Sequence, residues 1–134
     1  FPWYLPAIRM ASGTPRCVRL LPPSFEAIEA DIRAAITDKT KMLIFNTPHN
    51  PTGHCASSEE LAMIARICVE KDLLCVSDEV YESCVFPNSG VRHGRLVDEP
   101  GMKERTITIG SASKLLSLTG WRVGWATGPA DLIA

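Results

Sequence analysis

Lys114 stands in Ser-Ala-Ser-Lys-Leu-Leu-Ser-Leu-Thr-Gly-Trp-Arg-Val-Gly-Trp, residues 111 to 125, with Arg122 eight positions further on. A lysine held in a tight, partly desolvated turn loses its proton and can form a Schiff base. An arginine can fork onto a phosphate, and the Ser111 hydroxyl adds a further donor. Upstream, Asp78 follows an apolar run and Tyr81 lies three residues on. A carboxylate at a strand end can pair with a protonated pyridine nitrogen and keep the ring electron-poor. Asn50 sits in Asn46-Thr47-Pro48-His49-Asn50-Pro51-Thr52-Gly53. Pro48 and Pro51 restrict the backbone around it and fix the direction of its amide.

Singly, each residue has a plainer explanation: a solvated lysine, a turn acid, a half-buried tyrosine, a rigid loop, a surface arginine. Together they come in order, each at the end of a predicted element, and each suits one part of a single ligand. A cofactor with an aldehyde at one end and a phosphate at the other uses the amine and the guanidinium at once. Pyridoxal 5'-phosphate is such a cofactor. Lys114 would anchor it and then move a proton, Asp78 would face its ring nitrogen, and Asn50 and Tyr81 would face its phenolic oxygen.

The elements that must position these groups follow from patterning. Met42-Leu43-Ile44-Phe45 and Leu73-Leu74-Cys75-Val76 are continuous apolar runs suited to strands buried on both faces. Between them, Ser57 or Ser58 can cap a helix with Glu59 and Glu60 in its first turn and Leu61, Ile64, Ala65, Cys68 and Val69 as its apolar stripe. Strand, helix, strand in this order predicts a parallel pair. Thr106-Ile107-Thr108-Ile109 predicts a third strand, and Trp121 to Thr127 a fourth. Open α/β sheets bind ligands beyond the carboxyl ends of their strands, where Asn46 to Gly53, Asp78, and Ser111 to Lys114 fall. Further predictions are an irregular start from Phe1 to Gly13 interrupted by Pro2 and Pro6, and a short strand at Arg16 to Leu20. A helix from Phe25 to Ile36 capped by Ser24, and a mobile segment from Pro87 to Gly101, complete the pattern.

The chain has 134 residues and a formal net charge of -1. That balance, with no basic stripe, argues against a nucleic-acid or anionic-membrane partner. No apolar run is long enough to span a bilayer. Cys17, Cys55, Cys68, Cys75 and Cys84 are odd in number and lack Cys-x-x-Cys spacing, so the expectation is free thiols in a reducing, cytoplasmic setting, with an organellar one left open. His49, His54 and His93 have no metal-like spacing, and no metal site is expected. His49 is read as shaping its loop, the other two as exposed. Phe1 at the start and an unfinished helix at Pro129 to Ala134 give the chain the look of an internal piece of a longer protein.

These motifs together resemble the class I/II aminotransferases, pyridoxal-phosphate enzymes of the aspartate-aminotransferase superfamily. The resemblance rests on Asn46 to Gly53, Ser77-Asp78-Glu79-Val80-Tyr81-Glu82, and Ser111 to Lys114 with Gly120 to Trp125. It implies an α/β fold of three α/β/α layers around a mainly parallel, seven-stranded sheet, of which residues 1–134 would be part. It implies roles for Lys114, Asp78, Asn50, Tyr81, Ser111 and Arg122 that match those above, and a homodimer acting on an L-amino acid and a 2-oxo acid. Within the family the chain is similar to the kynurenine, glutamine and cysteine-conjugate branch, from which it departs at Ser113, Leu115-Leu116 and Arg122. By the same resemblance, the upstream phosphate loop, the aromatic residue stacked on the cofactor, and the small C-terminal domain with its carboxylate-binding arginine are absent. β-Elimination at the same site, a non-catalytic cofactor-sensing module and an inactive fragment are the alternatives to transamination.

Overall fold

The computed structural model describes residues 1–133. Helix α1 (Tyr4–Met10) is followed by α2 (Glu29–Ala35), strand β1 (Met42–Asn46), helix α3 (Ser58–Glu70) and strand β2 (Leu74–Asp78). Strand β3 (Thr106–Ser111) runs directly into α4 (Ala112–Leu115), and β4 (Gly124–Thr127) and α5 (Ala130–Ile133) end the chain. The four strands form one sheet in the order β1-β2-β3-β4. The first three are parallel and β4 returns antiparallel to β3. The register places Asn46 beside Asp78 and Asp78 beside Ile109, so three strands end along one rim.

Helix α3 explains why one face of the sheet is dry. Ser57 accepts from the Glu60 N–H while the Glu60 carboxylate accepts from the Ser57 N–H, a complete capping box. Beyond that cap, Leu61, Ile64, Ile67 and Cys68 are buried, and they pack in one core with Cys75, Leu96, Met102 and the partly buried Leu43 and Phe45. Each fully buried aliphatic side chain of this kind contributes roughly 1.5–3 kcal/mol. Cys75, Ser77, Thr106 and Thr108 are buried on this face, whereas Ile44, Val76, Ile107 and Ile109, on the other, are only half-buried. The architecture is thus the α/β, mainly parallel one expected, with four strands and its main helical cover on one side. Burial on both faces, expected for the apolar runs, is realised on the α3 side alone; Met42 at the open edge is 42% exposed.

Four predictions of local structure need correction. Phe1 to Gly13 is not irregular, because Pro6 falls in the first turn of α1, where a missing N–H leaves no bond unmade. Arg16 to Leu20 forms no strand, since no strand borders it to complete a ladder. The second helix starts at Glu29 rather than Phe25. Phe25 has a left-handed backbone with φ 58°, and the Ala27 N–H is committed to Glu60 Oε1 at 2.8 Å. The segment from Pro87 to Gly101, expected to be mobile, is tied down in its second half, where Leu96 is fully buried and His93 bonds Glu79.

Candidate functional site

The loop after β1 is built to aim Asn50. Asn46 donates from Nδ2 to the Asp78 carbonyl at 2.9 Å and to the Pro48 carbonyl at 3.2 Å, while its Oδ1 accepts from the Asn50 N–H at 2.8 Å. The Thr47 N–H reaches the Asp78 carbonyl at 3.1 Å, which extends the β1–β2 pairing past the strand end. Farther round the loop, the His49 N–H donates to the His54 carbonyl at 2.7 Å, and Gly53 takes the positive φ of 77° that closes the turn. The His54 imidazole is 2.8 Å from Glu60 Oε2, which locks the loop onto the α3 cap. Held this way, Asn50 donates from Nδ2 to the Tyr81 hydroxyl at 3.2 Å.

Asp78 ends β2, and a turn carries the chain to Tyr81 and a single 3-10 turn at Glu82–Cys84. Its Oδ1 accepts from the Val80 N–H at 3.3 Å, and its Oδ2 accepts from the Tyr4 hydroxyl. Burial, reinforced by the bond to Asp78 and by its charge, pushes the Tyr4 phenol far above its ordinary value. Behind the strand end, the buried Glu79 carboxylate accepts from Ser77 Oγ at 2.8 Å and lies 3.0 Å from His93 Nε2 and 3.8 Å from Arg95 Nε. His54 and His93 are therefore not the exposed residues expected from the sequence. Each is turned inward by a carboxylate, Glu60 six positions from His54 and Glu79 fourteen positions from His93.

The third wall comes from the β3–α4 junction. Ser111 is the last residue of β3, and Lys114 follows within α4. The Ala112 N–H donates to the Val123 carbonyl at 3.1 Å, which brings the Gly120-to-Gly124 turn back beside the lysine. Lys114 Nζ lies 5.3 Å from the centre of the Tyr81 ring, a cation over an aromatic face. Arg122 is in the left-handed region with φ 53°, and its guanidinium donates to the Thr119 carbonyl at 3.3 Å.

These walls enclose a cavity of about 440 Å³, onto which Asn50, Asp78, Tyr81, Ser111, Lys114 and Arg122 all open. All six residues singled out in the sequence thus line one cavity. The cavity also contains two residues the sequence reading missed, Phe1 and Tyr4. Tyr4 is the first residue of α1 and Phe1 precedes that helix. The contact of Tyr4 with Asp78 spans 74 positions, and no local pattern announces it. Among the described residues no group of acidic, histidine or cysteine side chains has metal-binding geometry, and no helix is long and apolar enough to cross a membrane.

Comparison with known proteins places these walls in context. The profile of the family "Aminotransferase class I and II" matches residues 1–134. A probable N-succinyldiaminopimelate aminotransferase from Mycobacterium tuberculosis is 49% identical over 133 residues, covering 98% of this chain and 33% of that protein. Human kynurenine–oxoglutarate transaminase 3 is 44% identical over 140 residues, covering 97% of this chain and 30% of that protein. The solved N-succinyldiaminopimelate aminotransferase from M. tuberculosis superposes with a TM-score of 0.95 at 46% identity, over 99% of this chain and 35% of that one. A Thermus thermophilus aspartate aminotransferase double mutant superposes with a TM-score of 0.92 at 36% identity, over 99% of this chain and 34% of that one. The chain spans about a third of the length of the curated relatives it matches.

Proposed function

The chain belongs to the class I and II aminotransferases, and from that premise we propose that the protein carrying it transfers an amino group from an L-amino acid to a 2-oxo acid, with pyridoxal 5'-phosphate in the cavity described above. The observation that carries this reading is the convergence of an amine, an acid, a guanidinium, an amide and a phenol on one hollow of about 440 Å³. That donor set fits the cofactor part by part. Pyridoxal phosphate, when bound, supplies an aldehyde that condenses with amines and a ring that accepts electrons from the substrate α-carbon.

The residues divide the work. Lys114 would hold the cofactor covalently through Nζ and, once displaced by substrate, would carry a proton to and from the α-carbon. Asp78 would bind the ring nitrogen and keep its proton in place. Asn50 and Tyr81, already bonded to each other, would present their polar ends to the phenolic oxygen. Ser111 and Arg122 would bind the phosphate, the guanidinium neutralising its charge. Phe1 and Tyr4 would exclude water from the mouth.

The wider assignments belong to the same proposal. Residues 1–134 are part of the cofactor-binding large domain. Leu115, Leu116, Leu118 and Trp121 are exposed beside the site, and the remainder of the protein and a second copy in a homodimer would cover them. Cys68 and Cys75 are buried free thiols, which supports a reducing, cytoplasmic setting. Borohydride reduction of the full-length protein loaded with pyridoxal phosphate, followed by peptide mapping, tests the reading. A pyridoxyl group on Lys114 is expected; label elsewhere, or none, overturns it.

A further inference from the structure

We propose that Tyr4 is a positioning residue for Asp78, its hydroxyl holding one carboxylate oxygen and setting how tightly that acid grips the proton of a ring nitrogen. The inference rests on the cavity being a pyridoxal-phosphate site. Asp78 has two oxygens and each is already engaged. Oδ1 accepts from the Val80 N–H at 3.3 Å, and Oδ2 accepts from Tyr4. The two donors belong to different elements, the turn after β2 and the helix α1, so together they leave the carboxylate little freedom to rotate. An ionised carboxylate offers about four acceptor sites, so both oxygens retain capacity toward the cavity.

Among the described residues Tyr4 is the one side chain that donates to Asp78. Helix α1 has no fully buried residue and no side-chain cap. Among the described residues, its one side-chain hydrogen bond to the site is made by this hydroxyl. A donor on a carboxylate stabilises the charged form and makes it a weaker base. With part of the carboxylate charge drawn toward the Tyr4 hydroxyl, any ring nitrogen paired with Asp78 holds its proton less tightly. The other titratable or charged groups that open onto the cavity are Tyr81, Lys114 and Arg122.

Two measurements on the full-length protein test this. The first uses cofactor-free protein. The difference in phenolate absorbance between the native protein and Tyr4→Phe isolates the Tyr4 titration. Asp78→Asn is expected to bring that titration down toward the ordinary tyrosine range; a titration indifferent to Asp78→Asn overturns the contact and the inference with it. The second replaces Tyr4 by mono- and difluorotyrosine, chosen so that the phenol stays protonated, and follows the pKa of isotope-labelled pyridoxal phosphate by ring-nitrogen NMR. The fluorinated rings preserve shape and donor while strengthening the donor, so a merely structural Tyr4 would leave the ring nitrogen unmoved. A monotonic fall totalling about half a pH unit or more is expected. A flat series with normal cofactor uptake overturns the inference alone, whereas failure to take up cofactor overturns the reading of the site as well.

Discussion

Asn50 donates from its side-chain amide to the Tyr81 hydroxyl across 3.2 Å. The bond joins the loop after β1 to the turn after β2 and leaves the face of the Tyr81 ring free for Lys114, whose Nζ lies 5.3 Å from its centre. One residue thus couples two walls of the cavity to the amine on the third. Removing the hydroxyl alone separates these roles, because Tyr81→Phe keeps the aromatic face. A double-mutant cycle of Asn50→Ala and Tyr81→Phe, followed by urea unfolding of the cofactor-free protein, should give a coupling of about 0.5–1 kcal/mol. Strict additivity would mean that the bond does not hold the loop.

Asp78→Asn should spare cofactor capture and abolish most turnover. The amide keeps the shape of the acid but cannot hold a ring proton by charge, so the electron-poor state of the ring is lost. Absorbance of bound pyridoxal phosphate should persist while the amino-transfer rate falls by several orders of magnitude. A loss of only a few-fold would mean that the ring nitrogen has another partner.

Glu60 gathers three donors from three places: the Ala27 N–H at 2.8 Å, the Ser57 N–H at 3.0 Å and the His54 imidazole at 2.8 Å. It is nearly buried, so truncation leaves these groups without their shared acceptor. Glu60→Ala should destabilise the protein by about 3 kcal/mol in urea unfolding. Ser57→Ala, which removes only the cap acceptor, should cost about 1 kcal/mol. Equal losses would show that the Glu60 contacts to the neighbouring segments contribute nothing beyond the cap.

Much of this arrangement was legible before the fold. β1 and β2 announce themselves as apolar runs, β3 as Thr106-Ile107-Thr108-Ile109, and α3 as a serine followed by two glutamates and an apolar stripe. Their order forces the polar ends of the strands onto one rim, which is why Asn50, Asp78 and Lys114 were found together. What was missed depends on partners far away in sequence. Pro6 disguised α1, and without α1 nothing places Tyr4 on Asp78. The late start of α2 depends on Ala27 meeting Glu60, and the inward turn of His93 depends on Glu79. Periodicity within a window carries none of these pairings.

Burial lowers the His49 pKa below its ordinary value, with the neighbouring His54 adding to the effect. The folded protein therefore favours the neutral ring, whose Nδ1 lies 2.8 Å from Thr52 Oγ1. The sign follows from proton counting: below the unfolded pKa of about 6.5, the unfolded chain binds more protons at this position than the folded one. The contribution is complete above that pH and is lost as pH falls through it toward the folded value. Urea midpoints measured between about pH 8 and pH 5 should decline more steeply for the native protein than for His49→Gln. Parallel declines would show that His49 does not report on folding.

Arg122 combines the charge proposed to hold the phosphate with a backbone that arginine disfavours. At φ 53° it sits in the left-handed region, after the 3-10 turn at Thr119–Trp121. Glycine adopts that conformation freely, whereas any residue with a Cβ atom meets steric cost there. Two replacements separate charge from strain. Arg122→Ala removes the guanidinium and keeps the strained backbone; Arg122→Gly removes both. The glycine variant should be more stable than the alanine variant by about 1 kcal/mol in urea unfolding of cofactor-free protein. Both should bind pyridoxal phosphate at least about tenfold more weakly than the native protein, since both lose a charge-assisted phosphate contact. Equal stabilities would show that the turn relaxes when the arginine is removed, and unchanged affinity would take Arg122 out of the phosphate site.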